Sequence, residues 1–254
     1  MATYIMSDIH GNGDKFFRML KEIDFNSKDV LYILGDILDR GKDSFDIYDY
    51  IMKRKNIIFL LGNHEIALLN VNRCIEQEKW QELEIWKRYW FEGNGENTYN
   101  EFFGEWDILK RNKYIDYLKK CPIDICLKVG RKYHYLVHAC LSNDVFEKVQ
   151  NRVLMDEIEK GNYDVLVRKK ENESIYEIGI GLLTKEEKEK AKEENWIVNP
   201  IVWYGHTPTT LKQKGIPRIQ KGKRTRNIDC GCNGNNNLSR LCCVRLSDEK
   251  EYYV

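Results

Sequence analysis

Residues 30–41, VLYILGDILDRG, run from a continuous apolar stretch into two carboxylates and an arginine. An apolar run of this length, closed by glycine, is the pattern of a strand covered on both faces. The flanking sequence repeats it. TYIMSDI (3–9) precedes the run and IIFLLGN (57–63) follows it, each a short strand candidate. Between them KFFRMLKEI (15–23) and SFDIYDYIMKR (44–54) carry apolar residues at helical spacing. Short strands joined by helical crossovers pair in parallel, so the first third of the chain predicts an α/β fold in βαβαβ order.

All three strands end in acidic, amide or imidazole groups: Asp8-Ile9-His10, Gly35-Asp36 and Gly62-Asn63-His64. In open α/β sheets ligands bind at the carboxyl ends of the strands. Asp8 and His10 are two apart in an extended segment, so their side chains point the same way and can share an ion. The chain has five histidines, and four lie beside a strand-end motif: His10, His64, His138 in LVHA and His206 in WYGHT. Together with Asp8, Asp36 and Asn63 they predict a metal centre. His134 is the exception. It is four residues from His138, but KYHYLVHA (132–139) reads as a strand, where that step spans roughly 13 Å, too far for a shared ion. A structural role is predicted for it.

The remaining sequence sets bounds. The 254 residues suit a single domain, 1–254, large enough to fold without disulfides or a structural metal. Forty-one Lys and Arg against 40 Asp and Glu give a net charge of +1, no field for general nucleic-acid binding or for a membrane surface. The N-terminus has no signal-peptide pattern and no apolar run reaches about 18 residues, so a cytoplasmic protein is expected. In that setting the eight cysteines read as reduced thiols. Residues 66–120 read as helical and aromatic-rich, a layer packing on the sheet. IDICLKVG and KYHYLVHA read as neighbouring strands, and IVWYGHT, RNIDCGC and LCCVRLS as three more, suggesting a second, more antiparallel sheet. The variable segment 151–195 is charged, and TKEEKEKAKEEN (184–195) opens with a capping-box pattern, Thr184 to Glu187, with no apolar face. Gly11-Asn12-Gly13 lacks the third glycine of a dinucleotide loop, no P-loop exists, GNHE is not H-E-x-x-H, and G-x-S-x-G is absent.

Ser7-Asp8-Ile9-His10-Gly11, Gly35-Asp36-Ile37-Leu38-Asp39-Arg40-Gly41 and Gly62-Asn63-His64-Glu65 together resemble the three signature blocks of the calcineurin-like metallophosphoesterases. His138 and Gly205-His206-Thr207 match the later ligand positions. Within that superfamily the blocks look most like the serine/threonine protein phosphatase branch, including its bacterial and phage members. Ala139 stands where the family has glycine, and Asn94-Gly95-Glu96 lacks the second glycine of an N-G-G element. The resemblance implies a four-layer αββα sandwich of two mixed sheets flanked by helices. It implies two divalent ions, Mn2+ foremost with Fe or Zn2+ open, one held by Asp8, His10 and Asp36 and the other by Asp36, Asn63, His138 and His206. A hydroxide bridging the ions would attack phosphorus, His64 would protonate the leaving oxygen, Asp39 would orient His64, and Arg40 and Arg168 would grip phosphate. The implied substrate is a phosphorylated protein or small phosphoester. The aromatic helices keep dinucleoside polyphosphates such as diadenosine tetraphosphate as the alternative. A non-catalytic phosphate-binding protein would not need His64, Asp39 and Arg40 together.

Overall fold

The computed structural model describes residues 1–139, 200–211, 215–234 and 238–254. Strands β1 (Thr3–Met6), β2 (Val30–Leu34) and β3 (Ile57–Leu60) pair in parallel, and helices α1 (Gly13–Glu22) and α2 (Ser44–Met52) form the crossovers. The Asn12 side chain caps α1 by accepting from Lys15 N at 3.1 Å, and Phe16, Met19 and Leu20 form its buried stripe. After β3 come α3 (Asn63–Glu76), α4 (Trp80–Glu92), the short α5 (Glu96–Tyr99), a π-helical turn at Asn100–Glu105 and α6 (Ile108–Leu118). Strands β4 (Asp124–Val129) and β5 (Lys132–Val137) form an antiparallel hairpin, followed by β6 (Ile201–Tyr204), β7 (Gln220–Lys221), β8 (Thr225–Asn227), β9 (Cys242–Arg245) and β10 (Lys250–Tyr253).

These strands make two five-stranded mixed sheets, ordered β10-β9-β1-β2-β3 and β4-β5-β6-β8-β7. The period-2 alternation of strand side chains divides the interior into two layers. Ile5, Leu34, Leu60 and Val244 of the first sheet meet Leu136, Trp203 and Ile228 from the second. Tyr4, Met6, Leu31, Ile33 and Phe59 point the other way, into a core with Phe16, Met19, Ile47, Tyr48 and Ile66 from the helices. The result is the expected αββα sandwich of two mixed sheets flanked by helices.

The C-terminal strands depart from the reading of a second, more antiparallel sheet. The second sheet pairs β5 with β6 and β6 with β8 in parallel, and β9 joins the first sheet, antiparallel to β1. The reason lies in β9 itself. Cys242 and Val244 face the inter-sheet core while Cys243 faces the helices, so the strand is apolar on both sides and belongs inside a covered sheet.

The aromatic residues of 66–120 serve mostly as packing. Phe45, Phe102, Trp106 and Tyr114 form ring contacts at 4.2 to 5.8 Å centroid separation. Among the described residues no helix is long and apolar enough to cross a membrane, and the seven described cysteines are free thiols. Leu136, fully buried between the sheets, sets the first test: Leu136→Ala is expected to lower stability by about 2–5 kcal/mol, read from urea denaturation, without changing the m-value.

Candidate metal centre

The loops that leave β1, β2 and β3 turn back on one another above the carboxyl edge of the first sheet. His10 N bonds to Asp36 O at 2.9 Å, Gly11 N to Ile37 O at 2.7 Å and Gly41 N to His10 O at 2.9 Å. To make these turns the backbone enters the left-handed region at Asp8 (φ 52°), His10 (49°), Asp36 (53°), Asp39 (71°) and Arg40 (64°), and His206 (67°) joins them from the second sheet. Each non-glycine residue held there costs on the order of 1–3 kcal/mol, and such strain concentrates where side chains must be aimed. The Asp8 carboxylate accepts from His206 N with both oxygens at 3.0 Å and from Ser7 Oγ. Any side chain at Gly205 would collide with Ser7 and with that carboxylate, so glycine is required for this approach.

Glu65, in the first turn of α3, is fully buried and organises the second loop. Its carboxylate accepts from Gly62 N, Asp36 N, Ile37 N and Leu38 N at 3.0 to 3.1 Å and from Tyr48 Oη at 2.8 Å. The GNHE tetrad was readable in sequence, but its glutamate had no assigned role. Its importance follows from how many backbone donors it satisfies.

Side-chain atoms of like polarity converge above these loops. The Nε2 atoms of His10 and His64 each lie 3.8 Å from Asp36 Oδ2, and that of His138 lies 3.3 Å from it. Asn63 Oδ1 stands 3.0 Å from His138 Nε2 and 2.8 Å from His206 Nδ1. His10 Nδ1 donates to Leu38 O and His138 Nδ1 to Leu34 O, both at 2.8 Å. With Nδ1 thus engaged, each ring in its neutral form would present a lone pair on Nε2 to the carboxylate and amide oxygens. Lone pairs facing lone pairs, nearly out of water, need a cation between them. Two triads can supply its ligands, His10-Asp36-His64 and Asp36-His138-His206, with Asp36 in both.

The titration behaviour reflects the same demand for positive charge. Burial and the neighbouring Asp36 push Asp8 up to about 6, against the pull of His138. Burial opposes charge on His138, yet Asp36 and Asp8 raise it to about 10, while burial takes His10 down to about 3. The proton on His138 does part of the work of an ion. Carboxylate, amide and imidazole donors fit divalent metals and do not choose among Mn2+, Fe and Zn2+.

On the other side of His64 lies a second arrangement. His64 Nδ1 is 2.5 Å from Asp39 Oδ2, and the same oxygen accepts from Trp90 Nε1 at 2.6 Å. Tyr89 Oη accepts from Asn63 Nδ2 at 3.2 Å and borders a cavity of about 150 Å3 shared with Asn63, His64, Ala67 and Trp90. Arg40 is exposed at the rim, within electrostatic range of His10 and Asp229. His134 stays out of the centre: its Nδ1 accepts from Trp203 Nε1 at 3.0 Å in the inter-sheet layer. Arg168 and segment 151–195 lie outside the described residues. Trp90, Tyr89 and Asp229 were not singled out in sequence. Trp90 and Tyr89 reach the site from a helix whose aromatic residues read as packing, and Asp229 follows β8 as one acidic residue among many.

A β-sandwich with a buried carboxylate shared by two nitrogen-rich triads defines a metal-dependent phosphoesterase. The chain belongs to the calcineurin-like phosphoesterase family, whose sequence model matches residues 1–229. Among curated proteins it is similar to the symmetrical bis(5'-nucleosyl)-tetraphosphatase of Buchnera aphidicola subsp. Acyrthosiphon pisum (strain Tuc7), 41% identical over 81 residues covering 31% of this chain and 30% of that protein. A longer match, 28% identical over 182 residues, covers 65% of this chain and 61% of the enzyme of the same name from Buchnera aphidicola subsp. Schizaphis graminum. The matched stretches thus span 30% to 61% of these relatives' lengths. Among solved structures, one provisionally named a diadenosine tetraphosphatase shares 19% identity and a TM-score of 0.58, covering 99% of this chain and 92% of the other. A serine/threonine phosphatase from Saccharomyces cerevisiae shares 11% identity and a TM-score of 0.52, covering 100% and 79%. At such identities these two show the fold alone.

The curated relatives correct one expectation. The resemblance to the serine/threonine protein phosphatase branch does not hold, because these relatives are named nucleosyl-tetraphosphatases.

Two tests follow from the geometry. An ion held by His138 would have to displace its proton, and one held by Asp8 the Asp8 proton below about pH 6, so metal affinity is expected to rise with pH. The slope should be about tenfold per unit above pH 6 and should steepen below it, measured by competition with a chromophoric chelator. Affinity that does not change between pH 5 and 8 would contradict the shared donor cluster. Glu65→Gln, which sets an amide NH2 against backbone donors, is expected to cost about 2–3 kcal/mol in denaturant titration.

Proposed function

We propose that this chain hydrolyses dinucleoside polyphosphates at a dinuclear metal centre, with diadenosine tetraphosphate as the representative substrate. The observation that carries this reading is the 182-residue match to a symmetrical bis(5'-nucleosyl)-tetraphosphatase, which extends well beyond the three signature blocks. Symmetrical cleavage takes one water and gives two molecules of ADP.

In this reading Asp8, His10 and Asp36 would hold one ion and Asp36, Asn63, His138 and His206 the other, with Asp36 common to both sets. Two divalent ions, when bound, supply the Lewis acidity that activates water and neutralises phosphate oxygens. The remaining work belongs to the chain. The backbone loops and Glu65 fix the ligand directions before any ion arrives. Arg40 at the rim offers a planar fork for bidentate contact with a phosphate, and Arg168 is assigned as the second phosphate-binding arginine. His64 is as close to Asp36 as His10 is, so distance alone would also allow it as a ligand. Its short bond to Asp39 supports the other role, a general acid whose Nε2 proton goes to the departing phosphate oxygen. Burial works against charge on His64, but the Asp36 and Asp39 carboxylates outweigh it and raise its pKa.

A raised histidine pKa keeps the acid form present at neutral pH, so turnover should fall only as pH rises through that pKa. His64→Asn is expected to lower kcat on diadenosine tetraphosphate by about 10² or more, with two ions still bound, and to abolish the alkaline decline. Loss of an ion in this variant would make His64 a ligand instead. Wild-type protein with Mn2+ should release ADP from diadenosine tetraphosphate and lose that activity with chelator. Equal rates with and without chelator, or no ADP release, would overturn the reading.

A further inference from the structure

We propose that Trp90 is a positioning residue for the acid: its indole N–H locks the Asp39 carboxylate so that Asp39 in turn aims His64. This inference rests on the reading of His64 as general acid. Asp39 is 1% exposed, and its two oxygens are used unequally. Oδ2 accepts from both His64 Nδ1 (2.5 Å) and Trp90 Nε1 (2.6 Å), while Oδ1 is buried with no hydrogen-bond partner among the described residues. Asp39 therefore depends on these two donors, and only one belongs to the reacting residue. An indole N–H can donate and cannot accept, so Oδ2 must be turned to accept from it. Trp90 thus fixes the carboxylate's rotation. Without it, rotation of Asp39 would bring the idle Oδ1 toward His64 and release the ring orientation.

The local sequence is arranged to seat this indole. Trp90 is 1% exposed at the C-terminal end of α4, 51 residues from Asp39. Gly93 N and Gly95 N both bond to Trp90 O at 3.0 Å, folding the chain back over the ring. A Cβ at Gly95 would run into the indole itself, so the glycine is needed for Trp90 to occupy this place. The surviving glycine of the incomplete N-G-G element therefore acts through the tryptophan. Gly93 lies beside the His64 ring edge, so the same short turn borders both partners of Asp39.

Trp90→Phe keeps most of the ring volume and deletes the donor. In wild-type metal-free protein a far-downfield proton resonance is expected for the His64–Asp39 bond, absent in Asp39→Asn. In Trp90→Phe it should shift or broaden. With Mn2+ bound, kcat on diadenosine tetraphosphate should fall about tenfold or more, with KM within about twofold and two ions retained. Because Trp90→Phe could lower stability, the benzothiophene isostere of tryptophan, placed at 90 by nonsense suppression, serves as the second variant. It has the same shape and no N–H, and should reproduce both effects. An unchanged resonance together with unchanged kcat in the isostere would overturn the proposal, as would loss of metal in place of loss of kcat. If His64→Asn leaves kcat unaltered, the acid assignment itself fails. If His64→Asn is impaired and the isostere is not, only the role of Trp90 fails.

Discussion

The Glu65 carboxylate, completely buried under the site, accepts four backbone N–H groups and the Tyr48 hydroxyl. Three of those N–H groups belong to Asp36, Ile37 and Leu38, the stretch where the chain leaves β2 in a conformation that cannot continue the sheet ladder. Backbone donors stranded there, out of water, would each carry a desolvation cost. Glu65 removes that cost and simultaneously bonds Gly62 N, where β3 ends and α3 begins. One anion thereby couples the end of β2 to the start of α3. The Asp36 side chain, which reaches toward both nitrogen triads, is positioned by the same coupling, and Asp36 Oδ1 accepts from His64 N at 3.2 Å.

This anchoring explains how the chain tolerates so much local strain. Six residues of the site are left-handed without being glycine, and two carboxylates sit among imidazoles with little access to water. Neither condition would survive in a loop free to relax. Here the first loop is bonded to the second through His10, Gly11 and Gly41, and the second is bonded to Glu65. The rigid sandwich below supplies the stability that the site consumes, which is why strain and unneutralised charge occur together at one sheet edge.

Much of this was legible in sequence, for a definite reason. VLYILGDILDRG advertises a doubly covered strand ending in chemistry, and continuous apolar runs and helical spacing recover β1 to β3, α1 and α2. Asp8, His10, Asp36, Asn63, His138 and His206 stood out in sequence because histidine is scarce in this chain and its placement at strand ends is improbable as packing, and the fold gathers Asp36, His10, His138 and His206 within two possible metal triads. What escaped was decided by tertiary context. The sheet membership of β9 depends on both its faces being covered, and a four-residue strand does not reveal its neighbour. Trp90 and Tyr89 escaped because a tryptophan on a helix rich in aromatic residues has the same sequence signature whether its N–H is idle or engaged. The resemblance to protein phosphatases failed for a related reason. Its evidence came from short signature blocks, and the curated relatives that match this chain are named nucleosyl-tetraphosphatases.

Trp90 shows how a packing residue can enter the chemistry. Its ring fills core as Phe102 does, and burial alone would treat the two alike. The difference is a single polar atom placed opposite the one carboxylate oxygen that His64 also uses. Among the described residues Asp39 Oδ2 carries two donors at 2.5 and 2.6 Å and Oδ1 none, an asymmetry that simple packing would not select. A buried carboxylate with an idle oxygen is expensive, and turning it to share its donors between both oxygens would be the cheaper arrangement. The fold instead spends α4, its glycine turn and a fully buried indole on keeping it unshared. That expenditure is intelligible if the direction of the His64 ring, rather than the stability of the pair, is what the arrangement maintains.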